Sequence, residues 1–271
     1  MSLTEQQALC LNIKILMAKN KAFEDHLWNA LPPAILITGL MWLIFLLDKI
    51  SPLQFFTFGI VPGEIEGLRG ILLSPWIHDH QHIQHISGNS IPIFLLSGLM
   101  FYSYREIGWR VFVIIWLLSG FFVWILAERN GSSHIGMSGI IYGLAGFLFT
   151  SGVIRKYLPL QALSLFVIFV YGSMIWGVFP TPQPISWEGH LSGLIVGVFL
   201  AYWFRKKGPQ RPKYQYEIER DLGIEPPDLE GQYWQKVHEE EMRLKQQEEE
   251  KAEKITINYD YIARENKKES E

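Results

Sequence analysis

Four polar residues stand inside otherwise apolar stretches of this chain, and their types suit acyl-transfer chemistry. They occur in three motifs: His85-Ile-Ser-Gly-Asn89, Gly136-Met-Ser138-Gly139 and Gly189-His190-Leu-Ser-Gly193. A serine becomes a nucleophile when a histidine accepts its proton, and hydrogen-bond donors stabilise the oxyanion that then forms. His85 and Asn89 are four residues apart, which places both donors on one face of a helix. The motifs therefore hold a serine, a histidine base and candidate oxyanion donors.

Each of these residues also has a structural interpretation. A serine inside a helix commonly bonds its own helix backbone. His85 and Asn89 could link neighbouring helices without any part in chemistry, and His190 could be a packed histidine. No Asp or Glu stands within the apolar runs, so these runs offer a Ser/His dyad and not a Ser-His-Asp triad.

The distribution of charge indicates that the surrounding elements lie in a membrane. The chain is 19% charged overall, but residues 1–204 hold 10 Lys and Arg with 10 Asp and Glu, whereas residues 205–271 hold 14 and 17. A soluble domain is about 25% charged, so the first part is depleted as membrane proteins are. Acid and base nearly balance and Cys10 is the single cysteine, which argues against a nucleic-acid-binding surface and a disulfide framework.

Six apolar runs are long enough to predict an all-α, polytopic bundle, because about 20 residues of helix span the ~30 Å hydrocarbon core. Residues 1–30 are predicted to form an N-terminal segment, and residues 205–271 a charged tail with a linker and then a helix. The tail carries acid-before-base pairs such as Glu239 and Arg243, which favour a solvated helix. The predicted spans are 31–47, 86–104, 111–127, 135–154, 160–178 and 189–204.

The positive charges predict the orientation of the bundle. Cations follow the second, fourth and sixth spans, and few lie in the opposite loops. The positive-inside rule then places both termini in the cytoplasm, with the three polar motifs near the outer surface. The cations on the predicted inner side are Arg105, Arg110, Arg155, Lys156, Arg205, Lys206 and Lys207.

Small residues predict how the fourth and sixth spans meet. Gly189, Gly193, Gly197 and Ala201 recur every four residues in the sixth span, and Gly139, Gly143 and Gly146 line the fourth. Such ridges allow two helix backbones to approach closely. Packing one ridge on the other would bring Ser138 and His190 within hydrogen-bond distance.

Taken together, the motifs resemble those of the rhomboid intramembrane serine proteases. The resembling set comprises His80-x4-His85-x3-Asn89, Gly136-x-Ser138-Gly139 with Tyr142, and Gly189-His190-x2-Gly193-x3-Gly197, and it covers about residues 35–204. Any one motif is weak evidence for the family, whereas three motifs in this order in the second, fourth and sixth spans are specific to it. The resemblance implies a six-helix membrane domain. We expect this domain to lie in a bacterial cytoplasmic membrane.

The resemblance also implies roles. Ser138 would be the nucleophile and His190 the general base, while His85, Asn89 and the Ser138 amide would form the oxyanion hole. Tyr142 would pack on the His190 ring, and no metal or cofactor would be needed. The substrates would be single-span membrane proteins in the lipid bilayer. Supporting roles would fall to Gly136, Gly139, Tyr142, His80 and Gly193.

Two matters stay open at this level. His80 matches the family by its distance to His85, whereas His78 matches by its distance from Pro75, and we prefer His80. His78, Asp79, His80 and His82 could instead form a surface metal site. A catalytically inactive relative that binds membrane segments, acting as a chaperone, is the main alternative function, and a transporter is a third.

Overall fold

The computed structural model describes residues 3–180, 186–223 and 228–253, and these residues form helices and loops without a β-strand. The predicted all-α class is confirmed. The chain divides into two units, Met1–Pro212 and Lys213–Glu271. Predictions for residues 181–185, 224–227 and 254–271 lie outside the described residues.

The first unit contains seven α-helices within its described residues. Four short 3₁₀ turns, Phe55–Phe58, Glu66–Leu68, Ser74–Trp76 and Gly172–Val178, connect or extend them. The first helix is a single element of 48 residues that includes Pro32 and Pro33, so the predicted first span is the end of a longer helix. The helices are α1 (Leu3–Ile50), α2 (Arg69–Leu73), α3 (Ile83–Ser103), α4 (Gly108–Leu126), α5 (Ser138–Arg155), α6 (Leu158–Tyr171) and α7 (Trp187–Trp203).

Among the described residues, five stretches of helix are long and apolar enough to cross a membrane, and they overlap the first five predicted spans. The sixth predicted span, 189–204, coincides with α7, whose 17 residues reach about 25 Å at 1.5 Å per residue. That length is shorter than the ~30 Å hydrocarbon core, so the sixth crossing stays a prediction. The five stretches are Leu27–Ile50, Ile83–Ser103, Gly108–Leu126, Ser138–Arg155 and Leu158–Val178.

Helix α5 is the centre of the first unit. It packs against α3, α4, α6 and α7, and its side chains Ile140, Leu144 and Phe147 are fully buried. Helix α6 lies at the edge, with Leu165 70% and Phe169 90% exposed. An apolar side chain on a helix of a membrane bundle can remain exposed because lipid tails solvate it.

The contact between α5 and α7 is made by glycines on both helices. A Cβ added at Gly193 would collide with the carbonyl oxygen of Gly139, and one added at Gly197 would collide with that of Gly143. A Cβ added at Gly143 would lie 3.2 Å from the carbonyl oxygen of Gly193. The two predicted ridges therefore face each other at backbone contact.

Arg155 joins the far ends of the same two helices. Its guanidinium donates hydrogen bonds to the carbonyl oxygens of Phe204 at 2.8 Å and Pro209 at 3.0 Å, and to the Ser151 hydroxyl at 2.9 Å. Tyr104 donates to the same hydroxyl at 2.9 Å. These bonds compensate the burial of the Arg155 charge and fix the end of α5 that is opposite to Ser138.

The second unit contains α8 (Gln215–Asp221) and α9 (Leu229–Glu253) within its described residues. The backbone N–H of Tyr214 donates to the Glu217 carboxylate at 2.9 Å, which caps the start of α8. Lys213 forms an ion pair with Asp221 at 2.6 Å. Side chains of α9 are largely exposed along its length, as its charge-rich sequence indicates.

The glycine contact predicts the effect of added methyl groups. We expect Gly197→Ala to destabilise the protein by about 1–3 kcal/mol because the new Cβ overpacks the α5–α7 contact. Gly39→Ala is the matched control, because no atom lies within 4 Å of a Cβ added at that helical position. Thermal or denaturant unfolding in detergent measures both, and equal stabilities would contradict the proposed importance of the contact.

Candidate active site

Ser138 and His190 lie next to each other where α5 and α7 begin. The Ser138 hydroxyl oxygen and His190 Nε2 are 2.8 Å apart, a hydrogen-bond distance. Ser138 is the first residue of α5, and His190 is in the first turn of α7. The close approach of the two helices at their glycines brings these side chains together, so the structure has the pair that the spacing of the motifs anticipates.

The His190 ring has two further partners. Its Nδ1 lies 2.9 Å from the carbonyl oxygen of Gly177, and its face stacks on the Tyr142 ring with centroids 4.2 Å apart and planes 10° apart. The Tyr142 hydroxyl donates to the carbonyl oxygen of Met174 at 2.7 Å. Three contacts therefore hold the imidazole, and Gly177 and Met174 are residues that the sequence analysis did not single out.

His85 and Asn89 face the backbone just before Ser138. A Cβ added at Gly136 would lie 2.8 Å from His85 Nε2 and 3.7 Å from Asn89 Nδ2. Gly136 has a φ of 107°, a conformation that residues with a side chain rarely adopt. Glycine is needed here both for the backbone conformation and for room beside the two donors.

His78 holds the side chain of Asn89. His78 is 1% exposed, and its Nε2 lies 3.0 Å from Asn89 Nδ2 and 3.4 Å from the backbone N of Met137. Because the Met137 N–H can only donate, His78 Nε2 is an acceptor, and the group of Asn89 that faces it is the amide NH₂. One hydrogen of this NH₂ points to His78, which leaves the other free to serve a ligand.

The structure places His78, and not the preferred His80, beside this group. His80 Nδ1 instead lies 3.0 Å from the Asp48 carboxylate at the end of α1, and its side chain is 31% exposed. The physical reason is that the loop between Pro75 and His85 is longer than the family pattern, so the two residue counts point to different histidines. The chain passes Asn89 at His78 and then turns away from it, which brings His80 to Asp48. The distance from Pro75 was the signal that pointed to His78.

The histidine-rich loop does not converge on one point. His78 faces Asn89, His80 bonds Asp48, and His82 Nδ1 lies 2.7 Å from the Asp79 carboxylate. In the part of the chain that the structure describes, no three His, Cys, Asp or Glu side chains are arranged to hold a metal ion.

The segment before Ser138 is anchored to the first loop and to α7. Ile60 and His134 exchange two backbone hydrogen bonds of 3.0 and 2.8 Å. The His134 ring bonds the hydroxyl of Ser186 at 2.6 Å, and that hydroxyl also accepts from the Gly189 N–H at the start of α7. Burial lowers the pKa of His134, although the nearby Glu188 opposes this shift. The His134 side chain thus ties the segment before Ser138 to the cap of the helix that carries His190.

A pocket adjoins Ser138 between α4 and the starts of α5 and α7. It is lined by apolar side chains and by polar groups of Ser119, His134 and Ser186. A pocket of this composition beside a serine hydroxyl can receive a water molecule or a small side chain.

The fold and the site define an integral membrane protein with a Ser/His pair between two helices. The Rhomboid domain model matches residues 67–207. The chain is 35% identical over 173 residues to the uncharacterized protein Rv1337 of Mycobacterium tuberculosis, covering 60% of this chain and 70% of that protein. It is 30% identical over 171 residues to the uncharacterized protein ML1171 of Mycobacterium leprae, covering 60% of this chain and 67% of that protein.

A more distant relative carries a functional name. The chain is 27% identical over 129 residues to the rhomboid protease GlpG of Yersinia pestis, which covers 46% of this chain and 44% of that protein. The chain belongs to the rhomboid family, and the resemblance seen in its motifs is confirmed.

The burial of His78 predicts a pH dependence of stability. Burial, with a smaller contribution from the charge of His85, lowers the pKa of His78 to about 3. An unfolded histidine titrates near pH 6.5, so the unfolded state binds more protons between about pH 6.5 and 3, and stability falls as the pH falls through that range. Between pH 7.5 and 5 this histidine should account for about 2 kcal/mol of lost stability.

Unfolding in detergent at the two pH values, with two variants, tests this. We expect His78→Gln to be less stable at pH 7.5 and to lose less stability on acidification than the wild type. Gln81→Ala is the control and should keep the wild-type pH dependence, because Gln81 lies in the same loop, is exposed and carries no titratable group. Equal pH dependence in the wild type and His78→Gln would contradict the prediction.

Proposed function

We propose that this protein is an intramembrane serine endopeptidase that cleaves membrane proteins through a Ser138/His190 dyad. The observation that carries the proposal is the 2.8 Å distance between the Ser138 hydroxyl and His190 Nε2. The family membership of the chain supports it, as does the name of its relative GlpG, a rhomboid protease.

The reaction would proceed by acyl transfer. Ser138 gives its proton to His190 Nε2 as its oxygen attacks the carbonyl carbon of the scissile peptide bond. His190 then gives that proton to the leaving amine nitrogen, and the C–N bond breaks to leave an acyl-enzyme. A water molecule then attacks the ester while the same histidine takes its proton. The histidine returns that proton to the serine oxygen as the C–O bond breaks, which regenerates Ser138 and releases the new carboxyl terminus.

The oxyanion would be stabilised by three donors. The backbone N–H of Ser138 is in the first turn of α5, where amides lack acceptors within the helix and the helix dipole favours negative charge. His85 and Asn89 border the same backbone across Gly136. Hydrogen bonds to a developing charge are strong in a site with little water.

The proposal includes the placement of the site in the membrane. With α7 as a sixth span and both termini in the cytoplasm, Ser138 and His190 would lie near the outer surface of the bilayer. Arg155 ends α5 and Arg205 follows the end of α7, both on the side opposite to Ser138 and His190, which agrees with the positive-inside rule. The membrane would be a bacterial cytoplasmic membrane, in keeping with the mycobacterial relatives.

The substrates would be single-span membrane proteins. A peptide bond within a helix is protected because its carbonyl is hydrogen-bonded, so cleavage requires a segment that unwinds at the site. Water can enter more easily near a membrane surface than at the bilayer centre, which favours cleavage in the outer part of a substrate helix. The alternative, a catalytically inactive protein that binds membrane segments, predicts substrate binding without hydrolysis.

The dyad can be tested by cleavage of a panel of labelled single-span substrates by the purified protein in detergent. We expect Ser138→Ala and His190→Ala to abolish cleavage, and Ser138→Ala to abolish labelling by a fluorophosphonate probe. Ser97→Ala is the control, because the Ser97 hydroxyl bonds the carbonyl of Ile93 in its own helix. Cleavage by all variants, or by none of the proteins including the wild type, would contradict the proposal.

The oxyanion donors can be tested separately. Asn89→Ala should lower kcat by about 10²–10³-fold, because one donor to the transition-state charge is lost. Ser87→Ala is the control, since Ser87 is exposed on the same helix turn and bonds only the backbone of α3. Measuring kcat and KM separately distinguishes a transition-state effect from weaker substrate binding, and an unchanged kcat would exclude Asn89 from the oxyanion hole.

A further inference from the structure

The 3₁₀ segment Gly172–Val178, which follows α6, contacts both aromatic rings of the site. Two of its backbone carbonyls accept hydrogen bonds from them: Met174 from the Tyr142 hydroxyl at 2.7 Å and Gly177 from His190 Nδ1 at 2.9 Å. These contacts are made by the backbone, so they depend on the position of the segment and not on its side-chain chemistry.

The bond to Gly177 determines which nitrogen of His190 carries the proton. A carbonyl oxygen can only accept, so Nδ1 must be the protonated nitrogen of the neutral ring. Nε2 then presents its lone pair to Ser138, 2.8 Å away, and the serine hydroxyl is the donor of that bond. This is the tautomer that a general base needs.

In a Ser-His-Asp triad, a carboxylate on Nδ1 performs this task. The titratable side chains at the His190 ring are Tyr142, which stacks on its face, and His85 and Glu188, which act on its charge, and the structure gives none of the three a hydrogen bond to Nδ1. The acceptor that does bond Nδ1 is the Gly177 carbonyl. It is neutral, so it avoids the cost of burying a carboxylate within the membrane.

Position 177 also requires glycine for space. A Cβ added there would collide with the Tyr142 hydroxyl and lie 3.1 Å from His190 Nδ1. At Gly172, in the same segment, the nearest atom to an added Cβ is Ile168 Cγ2 at 3.8 Å, an ordinary contact. The backbone therefore approaches the Tyr142 and His190 rings closely at Gly177 and not at Gly172.

We propose that Gly177 is a positioning residue whose carbonyl replaces the triad carboxylate by fixing the orientation and tautomer of His190. This inference rests on the proposed protease function and adds a third member to the Ser138/His190 dyad. A consequence is that the base is oriented only while the segment stays seated on α7. The segment extends α6, and together they form Leu158–Val178, the least buried of the five candidate spans. A displacement of this edge would therefore disable the base without touching Ser138.

The tautomer can be measured directly. In detergent-solubilised protein with ¹⁵N-labelled histidine, long-range ¹H–¹⁵N NMR spectra distinguish Nδ1–H from Nε2–H, and comparison with His190→Asn assigns the signal. We expect His190 to be protonated on Nδ1 when the ring is neutral. Protonation on Nε2, or a mixture of the two tautomers, would overturn the proposal whether or not the protein cleaves a substrate.

Kinetics of three variants test the role of Gly177 in catalysis. We expect Gly177→Ala to lower kcat by about 10–100-fold with little change in KM, since a misplaced base costs about that much. The acidic limb of its pH–rate profile should also shift. Gly172→Ala should stay within about 2-fold of the wild type, because its methyl group has room. Tyr142→Phe combined with Gly177→Ala should recover part of kcat, because the colliding hydroxyl is gone.

The outcomes separate this inference from the proposed function. If the wild type cleaves no substrate but His190 is protonated on Nδ1, the protease proposal fails and the geometry stands. If the wild type cleaves and folded Gly177→Ala keeps its kcat and pH profile, the role of Gly177 is refuted and the dyad stands. Thermal unfolding shows whether each variant is folded. If Gly177→Ala is unfolded, the tautomer of His190 in the wild type decides whether the proposed role of Gly177 stands.

Discussion

The site depends on the contact between α5 and α7, where glycine backbones face each other without side chains between them. In a bilayer the hydrophobic effect does not drive helices together, so association relies on close packing. The contact near Gly139, Gly193 and Gly197 leaves so little room that a Cβ at either of the last two would overlap a facing carbonyl. Because Ser138 and His190 stand next to the outermost glycines, their 2.8 Å distance follows from the packing of the helices.

Backbone groups supply much of the electrostatics of this site. Ser138 begins a helix, so its amide lacks an acceptor within the helix, and His190 and its stacking tyrosine are held by the carbonyls of Gly177 and Met174. A buried carboxylate would have to be paired or neutralised in a low-dielectric interior, whereas peptide dipoles are present at no such cost. This explains how a serine and a histidine can be aligned in a part of the chain whose apolar runs contain no acid.

Features of the site that follow from local periodicity could be predicted from the sequence, and features that depend on the path of a loop could not. The overlapping spans, the facing glycines and the pair of Ser138 and His190 follow from apolar length and from spacing of four residues along a helix. Residue counts favour His80 over His78 because they do not show where a loop turns inward. No residue type marks the role of Gly177, because the group that bonds His190 is a backbone carbonyl.

The first loop is part of the scaffold that positions Ser138. The carbonyl oxygen of Ser74 accepts a hydrogen bond from the Gly136 N–H at 2.8 Å, and the backbones of Ile60 and His134 bond each other. The His134 ring bonds the hydroxyl of Ser186, which caps α7. Gly136 adopts a positive φ that is open to glycine, and these bonds hold the backbone on both sides of that residue. The helices set the distance between Ser138 and His190, while the loop sets the direction from which the chain enters α5. Both constraints are needed for the proposed reaction, because His190 could act as its base only if the Ser138 amide, His85 and Asn89 face the same point.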